Sequence, residues 1–337
     1  MTVAPADGPA VAGVPARLAG FQPRALSDCV VVVTPRSFGM HDPGLRRRLE
    51  REVGVVRYRP GPLAAAELAE AVCDADGLLC GLDQVSAEVF AGAPRLRVVA
   101  RYGVGADRVD LEAAARYAVT VTTTPGANAN AVAELTIALL FALARPLVAG
   151  RDRARAGEWP ALSGVELDGR TLGLVGLGRI GSLVAGKAAA LGLRVLAYDP
   201  NVSKTDAATL IDLDALVAES DFVSLHAPLT DQTRGMVGRS LLERLKPGAA
   251  LVNTARGGLI DEAGLLWALE EGPLRAAALD VLVEEPPPPD HPLLQRDDVL
   301  VTPHMGPHTA EATAAMGARA LDDLLAVLSG RAPRYPL

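Results

Sequence analysis

The sequence has little cysteine, no excess of basic residues and no long apolar run. Its three cysteines, Cys29, Cys73 and Cys80, are odd in number and far apart, so they form no metal-binding spacing and are interpreted as small buried apolar residues in a reducing cytoplasm. With 33 Lys and Arg against 40 Asp and Glu, the net charge of −7 argues against nucleic-acid and anionic-membrane partners. The most apolar segment, 131–144, is short and interrupted by Glu134, and it predicts no membrane span.

The beginning of the chain also lacks a recognisable targeting signal. Residues 1–28 are rich in Ala, Pro and Gly but contain no apolar run typical of a signal peptide, so we interpret them as a flexible N-terminal arm. A content of 50% hydrophobic and 22% charged residues is typical of a globular protein, and 337 residues favour two domains.

Segments typical of strands and helices alternate along the rest of the chain. This alternation predicts an α/β protein with two Rossmann-like, doubly wound parallel-sheet domains. Six strands are predicted between Thr171 and His304, preceded by a helix over about 128–147. The last helix, over 309–330, lies outside that series and most simply returns to the first domain. We therefore predict a substrate domain of 29–127 and 309–337, with a nucleotide-binding domain, 128–308, inserted into it.

The segment TLGLVGLGRIG, residues 171–181, predicts a dinucleotide site. Gly176, Gly178 and Gly181 occupy the G-x-G-x-x-G positions between an apolar strand and a helix, where they allow a tight turn, close approach of a pyrophosphate and close helix packing. Asp199 ends the next strand, at the distance expected for an acid that binds the adenosine ribose. Its charge would repel a 2′-phosphate, so we predict NAD as the cofactor.

Three later segments end predicted strands and carry an arginine, an acid and a histidine. They are NTARGG (253–258), DVLVEEP (280–286) and TPHMGPHT (302–309). Arg256 offers a forked cation for a carboxylate and a polarised carbonyl, and His304 is suited to give a proton to the carbonyl oxygen. Glu285 could stabilise the imidazolium and fix its tautomer. This set predicts reduction of a 2-oxo acid.

The chain resembles the D-isomer-specific 2-hydroxyacid dehydrogenase family, in its phosphoglycerate dehydrogenase-like branch. Motifs in the family's order carry the resemblance at residues 100–114, 123–136, 171–181, 224–237, 252–262, 277–286 and 301–309. The resemblance implies an NAD-dependent oxidoreductase that interconverts 2-oxo acids and D-2-hydroxy acids. It implies catalytic roles for Arg256, Glu285 and His304.

The resemblance also implies roles for cleft residues. Val104 and Gly105 match the loop that binds the substrate carboxylate, and Asn128 matches an asparagine that faces the cleft. Asp280 matches the acid that receives the nicotinamide carboxamide. The other cofactor-contacting positions implied are Arg179, Ile180, His226, Pro228, Thr233 and Thr254.

The chain departs from that branch where an arginine-serine pair commonly binds the substrate's anionic groups. Here the sequence has Gly81, Leu82 and Asp83, which disfavours 3-phosphoglycerate as the substrate. Arg36 and Ser37 after the first strand, or Arg101 before the carboxylate loop, could replace the missing contact. We therefore predict a substrate with a second anionic group, such as a phosphonate, phosphate or carboxylate.

Two other functions fit the same motifs. One is an NAD(H)-sensing interaction protein of this fold, and the other is oxidation of an inorganic oxyanion such as phosphite. His308 could suggest a metal pair with His304, but Gly306 and Pro307 break the helical spacing, so no metal is predicted. His291 is interpreted as a surface residue. The apolar helix at 131–147 predicts a homodimer through the nucleotide-binding domains.

Overall fold

The computed structural model describes residues 24–337, and these divide into two compact units. The first unit comprises the described residues up to Pro125 together with Thr313–Leu337, and the second is Gly126–Ala312. Most of the predicted N-terminal arm lies outside the described residues. Of the part that is described, Leu26–Asp28 form one turn of 3₁₀ helix.

The first unit contains a parallel sheet of five strands in the order β2-β1-β3-β4-β5. The strands are β1 Val30–Val33, β2 Val55–Tyr58, β3 Gly77–Cys80, β4 Val98–Arg101 and β5 Thr120–Thr122. Every residue of β1, β3 and β4 is buried, which is why these strands read as continuous apolar runs. The edge strand β2 lacks that signal because it is only partly buried, and the sequence did not predict it.

Residues 335–337 are hydrogen-bonded to the edge of this sheet. The backbone amide of Thr123 donates to the carbonyl of Tyr335 at 3.1 Å, and the amide of Leu337 donates to Val121 at 2.9 Å. The buried carboxylate of Asp323 accepts hydrogen bonds from the amides of Arg334 and Tyr335 at 2.7 and 3.0 Å. Residues 335–337 therefore lie along β5.

The second unit contains a parallel sheet of seven strands in the order β12-β11-β10-β9-β6-β7-β8. The strands are β6 Thr171–Val175, β7 Arg194–Tyr198, β8 Thr209–Leu210, β9 Phe222–Leu225, β10 Ala249–Asn253, β11 Leu274–Leu279 and β12 Val299–Val301. The predicted count of six was wrong, because the two-residue β8 is too short to give a periodic pattern. Two parallel-sheet α/β units confirm the predicted fold class.

Helices join the strands in both units. They are α1 Pro43–Glu52, α2 Ala65–Val72, α3 Ala87–Gly92, α4 Leu111–Arg116, α5 Ala129–Ala144, α6 Leu147–Arg155, α7 Arg179–Ala190, α8 Leu213–Glu219, α9 Arg239–Leu242, α10 Glu262–Glu270 and α11 Ala310–Leu328. The single helix predicted over 128–147 is wrong at its end, because Pro146 separates α5 from α6. Helix α5 packs on α7, β10 and β11.

The expectation that all three cysteines are buried is wrong for one of them. Cys29 and Cys80 are buried, but Cys73 is exposed, because it follows α2 at its C-terminal end. Over residues 24–337, no single helix has the length and apolarity to cross a membrane; α5 and α6 would satisfy that test only as a pair, and they are bent by 64°. In the same range, no group of three His, Cys, Asp or Glu side chains is placed to hold a metal ion.

Candidate active site

The glycine loop follows β6 at the position where the strand order reverses between β6 and β9. Ligands of open α/β sheets bind in the crevice at such a point. Gly176 has a φ of +99°, and a Cβ there would lie 2.7 Å from the carbonyl carbon of His226. A Cβ on Gly181 would lie 2.2 Å from the oxygen of Gly176, whereas one on Gly178 would meet nothing within 4 Å. Gly176 and Gly181 are required for packing, and Gly178 faces open space suited to a pyrophosphate.

Asp199 lies at the C-terminal end of β7, beside this loop. Its Oδ2 accepts a hydrogen bond from the amide of Leu177 at 2.8 Å, and its Oδ1 accepts one from the amide of Asn201 at 2.9 Å. These bonds fix the carboxylate while leaving lone pairs on both oxygens. Arg179 and Ile180 open α7, so their amides belong to a helix N-terminus that favours phosphate. The loop and the acid together fit the dinucleotide predicted from the sequence.

The segment after β9 forms the other side of the glycine loop. Nε2 of His226 lies 2.9 Å from the hydroxyl of Ser224, and burial lowers the pKa of this histidine to about 4. Thr233 donates a hydrogen bond to the carbonyl of Pro228 at 2.6 Å and accepts one from the amide of Thr230 at 2.8 Å. His226 is therefore neutral at physiological pH, and Thr233 closes the turn that carries Pro228.

The loop after β10 carries Thr254 and Arg256. The buried side chain of Asn253 donates to the carbonyl of Arg256 at 2.8 Å and accepts from the amide of Ala255 at 3.0 Å. A Cβ on Gly257 would lie 2.0 Å from the carbonyl carbon of Leu282, so only glycine lets this loop lie against the segment that leads to Glu285. Asn253 thus shapes the arginine loop, a role that the sequence analysis missed.

Glu285 and His304 form the hydrogen-bonded pair that the sequence predicted. Oε2 of Glu285 lies 2.9 Å from Nδ1 of His304, and Oε1 accepts a hydrogen bond from the amide of Leu282 at 3.2 Å. The two side chains are only 15% and 21% exposed. With Nδ1 bound to the carboxylate, Nε2 is the ring nitrogen left to act on a ligand.

His304 is held in an unusual backbone conformation, with a φ of +50°. The carboxylate of Asp280 stabilises it: Oδ1 accepts from Thr302 Oγ1 at 2.6 Å and from the amide of Met305 at 2.9 Å, and Oδ2 accepts from the amide of Gly306 at 2.8 Å. Asp280 is 1% exposed. Asp280 therefore stabilises the loop that carries His304. The sequence analysis did not predict this structural role.

The two remaining histidines of this region differ in environment. His308 is exposed, and its pKa is lowered by partial burial of its ring and by the nearby His304. His291 is not a surface residue as predicted: its side chain is 11% exposed, and Nε2 lies 3.2 Å from Oε2 of Glu262. The same glutamate accepts a hydrogen bond from the amide of Val283 at 3.1 Å, so the pair supports the segment before Glu285.

In the first unit, Arg101 ends β4, and the carboxylate-loop residues Val104 and Gly105 follow it. Arg101 is 4% exposed, its Nε donates to the carbonyl of Gly105 at 2.9 Å, and its buried Nη1 has no hydrogen-bond partner among the described residues. Val104 is exposed at the tip of this loop. The carbonyl of Gly103 accepts a hydrogen bond from the amide of Thr124 at 3.0 Å. Arg101 therefore supports the loop from inside.

The other substrate candidates lie after β1 in the first unit and before α5 in the second. Arg36 is exposed, and Ser37 Oγ lies 3.5 Å from the hydroxyl of Tyr102. Asn128 is the residue before α5, and its buried Oδ1 has no hydrogen-bond partner among residues 24–337. The predicted catalytic trio and all predicted cofactor positions belong to the second unit, while Arg36, Ser37, Arg101, Val104 and Gly105 belong to the first.

Asp83 lies in the segment after β3, where the sequence lacks the anion-binding arginine common in the phosphoglycerate dehydrogenase-like branch. This 1%-exposed carboxylate accepts hydrogen bonds from the hydroxyl of Thr34 and from the amides of Gly81 and Leu63, the last two at 3.0 and 2.8 Å. It is a structural acid that joins the loops after β1, β2 and β3, and residues 81–83 themselves contribute no cation; the nearby Arg108 donates from Nη1 to the carbonyl of Leu82 at 3.4 Å.

Comparisons with known proteins agree with this geometry. The pattern of the NAD-binding domain of D-isomer specific 2-hydroxyacid dehydrogenases matches residues 137–306. A D-3-phosphoglycerate dehydrogenase of Methanocaldococcus jannaschii is 42% identical over 291 residues, 84% of this chain and 55% of the relative. The chain thus spans about half the length of the phosphoglycerate dehydrogenases that it resembles.

Other relatives match over nearly their full length. A glyoxylate reductase of Thermofilum pendens is 40% identical over 306 residues, which cover 87% of this chain and 90% of the relative. The crystal structure of the TT0316 protein from Thermus thermophilus superposes with a TM-score of 0.83 at 42% identity, covering 91% of this chain and 99% of that one.

Proposed function

The chain belongs to the D-isomer specific 2-hydroxyacid dehydrogenase family, and from this premise we propose that it reduces the carbonyl group of a 2-oxo acid with NADH. The observation that carries the proposal is the hydrogen-bonded, partly buried pair of Glu285 and His304. The pair lies in loops after strands of the same sheet that carries the glycine loop and Arg256. The reverse reaction would oxidise a D-2-hydroxy acid.

NAD is the cofactor of the matched domain. The open space beside Gly178 and the fixed carboxylate of Asp199 support an adenosine diphosphate bound across the N-terminus of α7. Since a second negative charge beside Asp199 would be repelled, we expect higher catalytic efficiency with NADH than with NADPH. Steady-state kinetics with both cofactors tests this preference.

Bound NADH supplies the hydride that reaches the carbonyl carbon of the substrate. Substrate binding and proton transfer are carried out by side chains of this protein. Arg256 pairs with the carboxylate and polarises the carbonyl oxygen, and His304 holds at Nε2 the proton that this oxygen takes up. Glu285 holds Nδ1, so the imidazolium is stabilised and its ring cannot turn.

For the substrate, we propose a 2-oxo acid with a second anionic group, bound by Arg36 with Ser37. Asp83 is a structural acid in the loop after β3, and its negative charge disfavours a second anionic group there. Arg36 is exposed after β1 and available to a ligand, whereas Arg101 is buried and bonded to the carboxylate loop. We assign Arg101 to support of that loop.

The test is NADH consumption with a panel of 2-oxo acids that includes glyoxylate, pyruvate, phosphohydroxypyruvate, phosphonopyruvate and a dicarboxylate. Turnover of a dianionic member, with a raised KM in Arg36→Ala, supports the proposal. An unchanged KM for the best substrate overturns the role of Arg36. Tight NADH binding without turnover of any panel member would favour the sensing protein, and turnover of phosphite would favour oxyanion oxidation.

We propose a homodimer formed through the second unit. None of the side chains of α6 is buried, and the following segment carries Trp159 at 93% exposure together with the exposed Leu162. Together with the exposed Leu147 and Val148 at the start of α6, these two side chains form an apolar surface suited to a second copy of itself. Sedimentation as a monomer at micromolar concentration would contradict the dimer, and Trp159→Asp should produce monomers if it is correct.

We propose that the substrate domain comprises 29–127 with 309–337, and that the nucleotide-binding domain is 128–308. The presence of three cysteines without a disulfide supports a cytoplasmic location.

A further inference from the structure

Two threonine hydroxyls meet beneath the loop that carries Arg256. Thr136 lies in the middle of α5, Thr254 follows β10, and their Oγ1 atoms are 3.0 Å apart. Both residues are buried, at 0% and 7% exposure. A buried hydroxyl pair has only two protons to distribute, so the neighbours of each oxygen decide which one donates.

The direction of this hydrogen bond follows from Val132. Oγ1 of Thr136 lies 2.9 Å from the carbonyl oxygen of Val132, one helical turn earlier, and a carbonyl can only accept. The single proton of Thr136 is therefore committed to Val132. Thr254 must supply the proton between the two hydroxyls, which leaves the oxygen of Thr254 as an acceptor towards any further partner.

Thr254 is well placed to have such a partner. It lies at the carboxyl end of β10, and β10 neighbours β9, which forms one side of the crevice at the switch point of the sheet. The side chain of Asn253, the residue before Thr254, fixes the turn through its bonds to Ala255 and Arg256, the two residues after Thr254. The acceptor is thus held rigidly at the ligand-binding edge.

We propose that Thr136 is a positioning residue for the cofactor, which sets the hydroxyl of Thr254 to accept a hydrogen bond from the nicotinamide half of NAD. That half offers two donors, the carboxamide N–H and the ribose O–H. The inference rests on the cofactor part of the proposed function and not on the identity of the 2-oxo acid.

The test compares binding of two ligands in the absence of substrate. NADH affinity is measured by fluorescence titration, and affinity for ADP-ribose, which lacks nicotinamide, by calorimetry. Thr136→Val removes the acceptor of the Thr254 proton without changing the shape of the side chain, and Thr136→Ser retains it. Thr122→Val is the control for loss of a buried hydroxyl, since Thr122 lies in β5 and its hydroxyl has no partner among the described residues.

We expect Thr136→Val to raise the Kd for NADH about 2- to 10-fold, the contribution of one neutral hydrogen bond, and to leave the Kd for ADP-ribose unchanged. Thr136→Ser and Thr122→Val should bind both ligands like the wild type. Thr254→Val should weaken NADH binding similarly, and adding Thr136→Val to it should have no further effect.

An unchanged Kd for NADH in Thr136→Val, or equal weakening of NADH and ADP-ribose, overturns the inference. If Thr136→Val does not fold, Thr136→Ala takes its place. A reduced cofactor with acetyl in place of the carboxamide identifies the donor: the effect of Thr136→Val disappears with this analogue if the donor is the carboxamide and persists if it is the ribose.

Failure of the proposed reaction is separable from failure of this inference. If the wild-type protein binds NADH but reduces no 2-oxo acid, the proposed reaction is wrong. The binding constants of the variants then still test the role of Thr136. A wild-type protein that binds no NADH overturns both.

Discussion

Nδ1 of His304 lies 2.9 Å from Oε2 of Glu285, and the other oxygen of that glutamate accepts a hydrogen bond from the amide of Leu282. The imidazole is therefore oriented by a carboxylate that is itself fixed. The backbone of His304, at a φ of +50°, is fixed separately through the bonds of Asp280 to the amides of Met305 and Gly306. The ring and the backbone of His304 have different supports, so substitutions can separate their contributions.

Replacing His304 should abolish proton transfer without disturbing the cofactor. We expect His304→Asn to lower kcat about 10²- to 10⁴-fold, the usual contribution of a positioned acid or base, with an unchanged Kd for NADH. Asparagine is chosen because it tolerates the positive φ of this position. Stopped-flow or steady-state kinetics and NADH titration provide the two readouts, and near-normal kcat would refute the assignment.

Replacing Glu285 by glutamine should weaken the orientation of His304. The amide retains the shape of the side chain but not its charge, so Nδ1 of His304 loses a charged hydrogen-bond acceptor. We expect kcat/KM for reduction to fall, by less than in His304→Asn, with an unchanged Kd for NADH. A kcat/KM equal to that of the wild type would contradict the role of Glu285.

Gly178 and Gly186 provide a matched pair of substitutions in one region. A Cβ at either position would meet nothing within 4 Å, and Gly186 lies within helix α7, away from the loop. Both alanine variants should therefore fold, and Gly186→Ala should be slightly more stable because it removes a glycine from a helix. Only Gly178→Ala should weaken NADH binding. Equal NADH affinity in the two variants would mean that the pyrophosphate does not approach Gly178.

His226 should make stability depend on pH. Because burial lowers its pKa from 6.5 to about 4, the unfolded state binds its proton first as the pH falls. Above pH 6.5, His226 leaves the free energy of unfolding unchanged. As the pH falls from 6.5 to about 4, His226 reduces the free energy of unfolding by up to about 3 kcal/mol. Urea unfolding of the cofactor-free protein should show a shallower decline in that window for His226→Asn. Parallel declines in the two proteins would rule out this histidine as the cause.

The sequence predicted those parts of the fold and site that consist of local patterns. The strand β6 is marked by the three glycines after it, and β1, β3 and β4 are continuous apolar runs, so the sequence pattern indicates all four strands. The strands β2 and β8 were missed, because one is a partly exposed edge and the other has two residues. The break at Pro146 was missed because the apolar pattern continues through it.

The supporting residues of the candidate site could not be read from the sequence for a different reason. Asn253 and Asp280 form hydrogen bonds whose partners are mainly backbone amides and carbonyls, and backbone groups leave no trace in the pattern of residue types. Thr136 contacts a residue 118 positions away in the chain. Such contacts depend on how α5 lies on the sheet, which only the folded structure provides.

Residues 335–337 cover the outer edge of β5 and should protect the protein against aggregation. Strand β5 ends its sheet, and an uncovered edge strand can recruit strands of other molecules. The hydrogen bonds of Thr123 with Tyr335 and of Leu337 with Val121 occupy that edge. Shortening the chain before Tyr335 would remove this cover, and the protein should then aggregate more readily even where its catalytic residues are intact.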